Sequence, residues 1–377
     1  MKAIFRKGVL FGLITALCFM GCSSGDGGDD TPPEPTYRYF AYTTNRNSYN
    51  ISGYSINSST GALTAVAGSP FPVGGFYYSN SIAVSPMGKF VYVANSMTDN
   101  ISAYAISPAT GSLTGIASSP FAAGSYPIAI AIDPAGKFAF VANSGSDNIS
   151  AFAINSSTGA LTEIGSPVPA GQAPHSIAVD PTGKSVYVAN AASSNVSAYV
   201  TNPTTGALTE IAGSPFLSAA FSATESVAID PSGKFAYVTN PGTNDVTGFG
   251  IDPSTGALTE IGGSPFAAGS GPMLVLMDPA GKYVYVMNEM SQNVSAYAID
   301  ASTGALTEIA GSPLSTGLGI SASFDPTGKF VYALNSQANN IAAYALNAAT
   351  GMLTEIAGSP FPSGERPIAI ATIRVKQ

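Results

Sequence analysis

The 377-residue chain contains no tryptophan, one histidine and two cysteines, and only 10% of it is charged. Each shortage excludes something. Without indoles, a surface that stacks sugar rings would have to be built from tyrosine. One histidine and two cysteines cannot supply a metal-spaced His or Cys cluster, so no metal is expected. No serine nucleophile elbow, Asp-rich calcium loop or phosphate-cradling glycine loop occurs, and no cofactor is expected. Lys and Arg number 14 against 22 Asp and Glu, and they never gather into a basic stripe along the sequence. A nucleic-acid partner, which needs such a stripe to displace counterions from phosphates, is excluded on that ground. The apolar run at residues 9–20 is also short of the roughly 20 residues that span a bilayer.

What the chain has in quantity is repetition, the first thing to look for in a long sequence. Tyr92-Val93-Ala94-Asn95 returns as Val141-Ala142-Asn143, Tyr187-Val188-Ala189-Asn190, Tyr237-Val238-Thr239-Asn240, Tyr285-Val286-Met287-Asn288 and Tyr332-Ala333-Leu334-Asn335. Tyr42-Thr43-Thr44-Asn45 precedes them, so the seven asparagines step by 50, 48, 47, 50, 48 and 47. Seven Thr-Gly pairs, ending at Gly61, Gly111, Gly159, Gly206, Gly256, Gly304 and Gly351, keep the same pace.

Each unit holds four short β-rich runs, in one case at 128–132, 138–143, 149–154 and 160–164. Asp133-Pro134-Ala135-Gly136 between the first two has the preferences of a type I turn, and Asn155-Ser156-Ser157-Thr158-Gly159 closes the next hairpin. Runs such as Phe90-Val91-Tyr92-Val93 are apolar on both faces, as in a sheet sandwiched between two others. The pattern predicts an all-β, seven-bladed β-propeller with four antiparallel strands per blade. The first unit starts at Tyr37 without an inner strand, and the chain ends with Pro367-Ile368-Ala369-Ile370-Ala371-Thr372-Ile373, an inner strand without followers. The C-terminal strand is therefore predicted to complete the N-terminal blade and leave no open edge.

Tyr237-Val238-Thr239-Asn240 resembles the signature of the YVTN propeller repeats, and residues 37–377 resemble that group and the related lactonase-type seven-bladed propellers. At the other end, Lys2, Arg6 and Lys7 before the apolar run, and Gly21-Cys22 after it, have the layout of a secretory signal. Phe19-Met20-Gly21-Cys22 resembles the bacterial lipobox, which implies a signal peptide at 1–21 and acylation of Cys22. Ser23 resembles the outer-membrane sorting pattern of Gram-negative lipoproteins. Residues 22–36, polar and then Pro-rich, read as a flexible tether. The expectation is an exported monomer, periplasmic or at the cell surface, held to its membrane through the lipid anchor alone. Removing Lys2, Arg6 and Lys7 leaves 14 − 3 = 11 basic residues against 22 acidic ones.

Most charges recur from unit to unit and belong to the scaffold: the turn aspartates Asp133, Asp180, Asp230, Asp278 and Asp325, the lysines after the turn glycines, and the outer-strand glutamates. Arg46, His175, Glu225, Glu289, Glu365 and Arg366 break the symmetry, with the small loop acids Asp99, Asp147 and Asp245. All lie in second-to-third-strand loops or ahead of inner strands, which a four-stranded blade places on one face. Any small molecule or protein partner is therefore expected at that mouth of the channel, with Arg46, Glu225 and Arg366 as binding residues. Tyr77, Tyr78 and Tyr126 are candidates for ring stacking.

Lactonase-type propellers imply Gly-Pro-Arg-His before one inner strand and Asn-Glu after the next strand. Here Asn288-Glu289 matches, whereas Gly271-Pro272-Met273-Leu274 puts Met273 and Leu274 in place of the arginine and histidine. The resemblance implies Glu289 and His175 as catalytic residues if the chain hydrolyses lactones, with a cation polarising the carbonyl. The departure at Met273 and Leu274 weighs instead toward a binding scaffold at the cell envelope. A sugar-lactone hydrolase of the 6-phosphogluconolactonase type is the alternative.

Overall fold

The computed structural model describes residues 35–73, 79–218, 223–314, 319 and 321–377, and the statements below concern those residues. The signal-peptide and Cys22 readings, with Tyr77 and Tyr78, fall outside them. Thr36–Gln377 form one compact unit of seven antiparallel sheets of four strands, six of them in sequence order from the inside outward and the seventh with the C-terminal strand innermost. The unit is a seven-bladed β-propeller. In six sheets a two-residue segment such as Phe121–Ala122 also pairs with the third strand, an addition to the predicted four. We number the blades 1 to 7 in chain order, blade 1 being the one that holds both chain ends.

Blade 1 shows how the ring closes. Pro367–Lys376 pairs antiparallel with Tyr37–Asn45, from Tyr37 opposite Lys376 to Asn45 opposite Pro367. The strand runs three residues past the predicted Ile373. Tyr37, Arg38 and Tyr39 extend the partner strand, Arg374 lies over the Tyr37 ring at 4.5 Å, and Val375 is buried against the blade 2 turn at Gly88.

The second strand of each blade is the structural centre. Phe90–Asn95, Phe138–Asn143, Phe235–Asn240 and Tyr283–Asn288 are buried along their whole length, so side chains on both faces fill the gaps between blades. The repeated tyrosine does more than pack. Tyr92 Oη donates to the Gly159 carbonyl of the next blade at 2.9 Å, and Tyr42, Tyr187, Tyr237, Tyr285 and Tyr332 bond Gly111, Gly256, Gly304, Gly351 and Gly61 in the same way. Blade 3 has Phe140 instead and lacks the bond. Burial pushes the phenol of Tyr187 up to about 12, so these groups act only as neutral donors. The glycines they meet have φ near +75°, and at Gly159 a Cβ would lie 2.5 Å from the Phe90 ring, so side chains are barred there.

The repeated asparagine is equally committed. Asn95 Nδ2 donates to Asn100 Oδ1 at 2.9 Å and Ser102 Oγ at 2.8 Å, closing the second-to-third-strand loop. On the opposite face, Asp133 Oδ1 accepts the backbone N–H groups of Lys137 and Phe138 at 2.6 Å each, and Asp278 and Asp325 repeat the arrangement. The blade topology thus gives two faces. One carries these Asp-Pro-x-Gly-Lys turns; the other, the mouth face, carries the loops into the inner strands and those from second to third strand.

Candidate functional site

The mouth loops are tied to one another before any side chain is free for chemistry. Asp99 and Asp147, both at φ near +50°, accept the N–H groups of Tyr126 and Ala173 in the following blade at 2.7 Å, and Asn339 does the same for Arg366. Asp245 accepts Asn240 Nδ2 at 2.8 Å. The three small loop acids that the sequence groups with the asymmetric charges are therefore structural ties. The sequence reading missed this because Asn244 and Asn339 do in other blades what Asp99 and Asp147 do here.

Inside this frame, the start of the inner strand is offset by a β-bulge in five blades. In blade 4 the register with the second strand shifts between Pro174 and Ser176, leaving His175 as the extra residue. A bulge re-aims the side chain it carries, and this one lines the channel. Ile368, Asn80, Ile128 and Met273 are the extra residues in the other four bulges, and Glu225 stands at the equivalent repeat position in blade 5, just ahead of the inner strand Val227–Ile229. All six line one cavity of about 520 Å³ at the channel mouth.

Within that cavity, His175 and Glu225 form a pair. His175 Nδ1 lies 2.7 Å from Glu225 Oε2 and 3.2 Å from the Glu225 backbone carbonyl. Both neighbours are acceptors, so Nδ1 carries the proton and Nε2 is the uncommitted ring nitrogen. Burial alone would lower the pKa of His175. The hydrogen bond to the Glu225 carboxylate, its charge and the carbonyl contact outweigh burial and hold it above the ordinary histidine value. The imidazole remains accessible, with 39% of its side chain exposed against 16% for Glu225.

Arg46 and Glu289 line the same cavity, each just past a repeated asparagine. Their backbones are pinned: Arg46 N–H donates to the Arg366 carbonyl at 2.9 Å and Glu289 N–H to that of Gly271 at 2.8 Å. Four of the sequence candidates, Arg46, His175, Glu225 and Glu289, are thus brought together. Arg366 is not among them. It stands at φ +53° with an exposed side chain, lining an adjoining cavity of about 700 Å³ that also contains Glu289. Tyr126 lines the channel cavity, 37% exposed. Met273 and Leu274 line its apolar side on blade 6. The sequence reading passed over Asn80, whose Nδ2 donates to Ser96 Oγ at 2.7 Å. Aligning it with His175 and Glu225 by repeat position would have found it.

The chain matches the family described as "Lactonase, 7-bladed beta-propeller" over residues 36–174 and 166–318. Among solved structures, it is similar to a putative 6-phosphogluconolactonase from Bacteroides fragilis, at 22% identity and a TM-score of 0.78, covering 89% of this chain and 98% of that one. A putative 6-phosphogluconolactonase from Bacteroides uniformis gives 21% identity and a TM-score of 0.77 over 89% and 99% of the two chains. A periplasmic gluconolactonase from Pseudomonas aeruginosa gives 16% and 0.76 over 90% and 99%. No curated protein matches by sequence. The family match overturns the expectation of a non-catalytic binding scaffold. That expectation rested on Met273 and Leu274 in blade 6, but their loss does not strip the channel of chemistry, because blades 4 and 5 supply His175 and Glu225 to the same cavity.

Proposed function

We infer that this chain, which belongs to the seven-bladed lactonase family, hydrolyses the ring ester of a sugar lactone at the mouth of its central channel. The observation that carries this reading is the His175–Glu225 pair, which leaves one histidine nitrogen uncommitted in a cavity of sugar size. In its neutral form, His175 takes a proton at Nε2 from a water that adds to the lactone carbonyl. Glu225 holds the tautomer and stabilises the imidazolium that forms, the role a carboxylate plays behind a catalytic histidine. Arg46 supplies positive charge to the same cavity for the developing oxyanion. The imidazolium then returns its proton to the departing ring oxygen, and the lactone opens to a hydroxy acid. Glu289, on the rim between the two cavities, is placed to accept substrate hydroxyls.

Charge favours an unphosphorylated lactone. Arg46 is the fixed cation among the described residues of the channel cavity, facing two carboxylates, and a phosphate dianion would meet more repulsion than support. Proton release from glucono-δ-lactone and from its 6-phosphate, followed at constant pH, tests the reading. Turnover of the unphosphorylated ring that is lost in His175→Ala is the expected result. No proton release above the spontaneous rate from any aldonolactone would refute it.

Around this chemistry we place an exported monomer whose Cys22 is acylated after removal of residues 1–21, with residues 22–36 as tether and a small-molecule substrate as partner. The apolar run followed by Gly21-Cys22 supports this. Cys22→Ala should move the protein from the membrane fraction to the soluble one; a wild-type chain already soluble after export would end the anchor reading.

A further inference from the structure

The basic residues scattered along the sequence are gathered by the fold. The exposed lysines Lys89, Lys137, Lys184, Lys234, Lys282 and Lys329 each follow a turn glycine on the turn face. These turns form a continuous ring around the lower end of the channel: Gly136 faces Pro86 of the preceding blade, Gly183 faces Pro134, Gly233 faces Pro181 and Gly328 faces Pro279. Blade 1 has no such turn, yet Arg38, Arg374 and Lys376, all exposed, occupy its place at the paired chain ends. Nine of the 11 basic groups that remain after Lys2, Arg6 and Lys7 are set aside thus lie on one face, against Arg46 and Arg366 on the other.

The acids are placed differently. The five turn aspartates are 1–6% exposed, with carboxylates turned inward onto backbone N–H groups. Asp252 and Asp300 lie in hairpins of the same face, and the exposed glutamates Glu163, Glu210, Glu260, Glu308 and Glu355 stand on the outermost strands at its periphery, whereas Asp99, Asp147, Asp245, Glu225, Glu289 and Glu365 are on the mouth face. Outside blade 1 the second strands are six residues long, about 20 Å. Physiological salt screens charge over about 8 Å. A flat surface approaching the turn face therefore meets the lysine ring around the channel, with the exposed acids of this face confined to the outer hairpins and strands.

We propose that the turn face docks on a bilayer rich in anionic phospholipid headgroups, so that the catalytic mouth opens away from the membrane. Where the chain enters the propeller argues for this partner. Thr36 is on the turn face, its carbonyl accepting the Gln377 N–H at 3.0 Å, so any anchor upstream draws this face toward the lipid. The electrostatic contact is separate from acylation and from lactone hydrolysis, and each can fail without the others.

The test uses the exported chain carrying Cys22→Ala, sedimented with vesicles of phosphatidylcholine alone or with roughly one-third phosphatidylglycerol. Binding to the anionic vesicles only, abolished at about 0.5 M salt, is the expected result. Lys137→Glu, Lys184→Glu and Lys234→Glu together should weaken it by at least about tenfold, with an unchanged melting temperature, while Arg366→Glu on the mouth face should leave it intact. The milder triple Lys→Gln variant should fall between wild type and the triple Glu variant. Equal binding to neutral vesicles, loss of binding in Arg366→Glu with the lysine variants unaffected, or retention by heparin but not by vesicles would each overturn the proposal, the last in favour of a soluble polyanion.

Discussion

The two faces of this propeller put their loops to opposite ends. On the turn face, Asp133, Asp230, Asp278 and Asp325 hold four turns in one way, Asp180 accepts one of the two N–H groups, and Ser85 substitutes in blade 2 by accepting the same two through its hydroxyl. On the mouth face, one repeat position at the start of the inner strand carries Ile368, Asn80, Ile128, His175, Glu225 and Met273. Sameness around a ring satisfies the backbone, and it offers an asymmetric molecule nothing to recognise. Divergence at a position the backbone has already secured is where chemistry can be added without cost to folding.

The largest expected effect breaks the ring itself, on which both faces depend. Deleting residues 367–377 removes the inner strand of blade 1, with the buried side chains Ile368, Ile370 and Val375. At about 1.5 to 3 kcal/mol each, the loss is on the order of 5 to 9 kcal/mol, comparable to the whole stability of a typical domain. The truncated chain should fail to give a cooperative thermal transition; a melting temperature equal to that of the intact chain would sink the closure scheme. Next in size is the contrast between faces. His175→Ala should cost about 10²- to 10⁴-fold in kcat for lactone opening and no more than about 0.5 to 1.5 kcal/mol of stability, the worth of its bond to Glu225. Asp278→Ala should do the reverse. It strands the N–H groups of Lys282 and Tyr283, each 2.7 Å from the carboxylate, for about 1.5 to 3 kcal/mol of stability by chemical denaturation, with kcat unchanged.

Most of the fold was legible in the sequence because repetition multiplies the signal. A single Asp-Pro-Ala-Gly is a weak turn cue, but at a constant 47- to 50-residue pace it becomes an architecture. The incomplete first and last units likewise revealed the closure. The site was legible only in part. Arg46, His175, Glu225 and Glu289 stood out as breaks in the repeat, yet nothing in the sequence says that the bulge in blade 4 turns His175 onto Glu225 of the next blade, or that Arg366 is drawn into the next cavity. Asp99 and Asp147 misled for the converse reason. Their charge looked like broken symmetry, while the function they share with Asn339 resides in an amide or carboxylate oxygen that either residue supplies. Family resemblance also pointed to blade 6 for the histidine, and the departure there was given more weight than the pair two blades away.

The pH dependence sharpens the comparison within the mouth. Glu225 holds the pKa of His175 above the ordinary value, so general-base activity, which needs neutral imidazole, should rise with pH through that elevated pKa. For stability the sign is opposite: a raised folded pKa favours the native state fully below the unfolded value near 6.5, and the contribution disappears as pH rises through the folded pKa. Glu225→Gln removes the carboxylate, so the acidic limb of the rate profile should shift to lower pH while the maximal rate falls. A profile that does not move would mean that another group sets the limb.

The smallest effect concerns the seam between blades 3 and 4, where sameness fails without functional reason. Six tyrosines donate across a blade boundary, and Phe140 is the exception, so the Gly206 carbonyl lacks the donor that Gly159, Gly256 and Gly304 receive. Tyr237→Phe should cost about 0.5 to 1.5 kcal/mol, the net worth of one such bond, and Phe140→Tyr should recover a similar amount if the seam has the shape of its six counterparts. Paired denaturation curves for the two variants would decide it. A gain from Phe140→Tyr matching the loss from Tyr237→Phe would show that the seven seams are interchangeable in packing. A loss in both would show that Phe140 has been fitted to its seam, the one next to the blade carrying His175. In that case the asymmetry of the mouth would extend into the core beneath it.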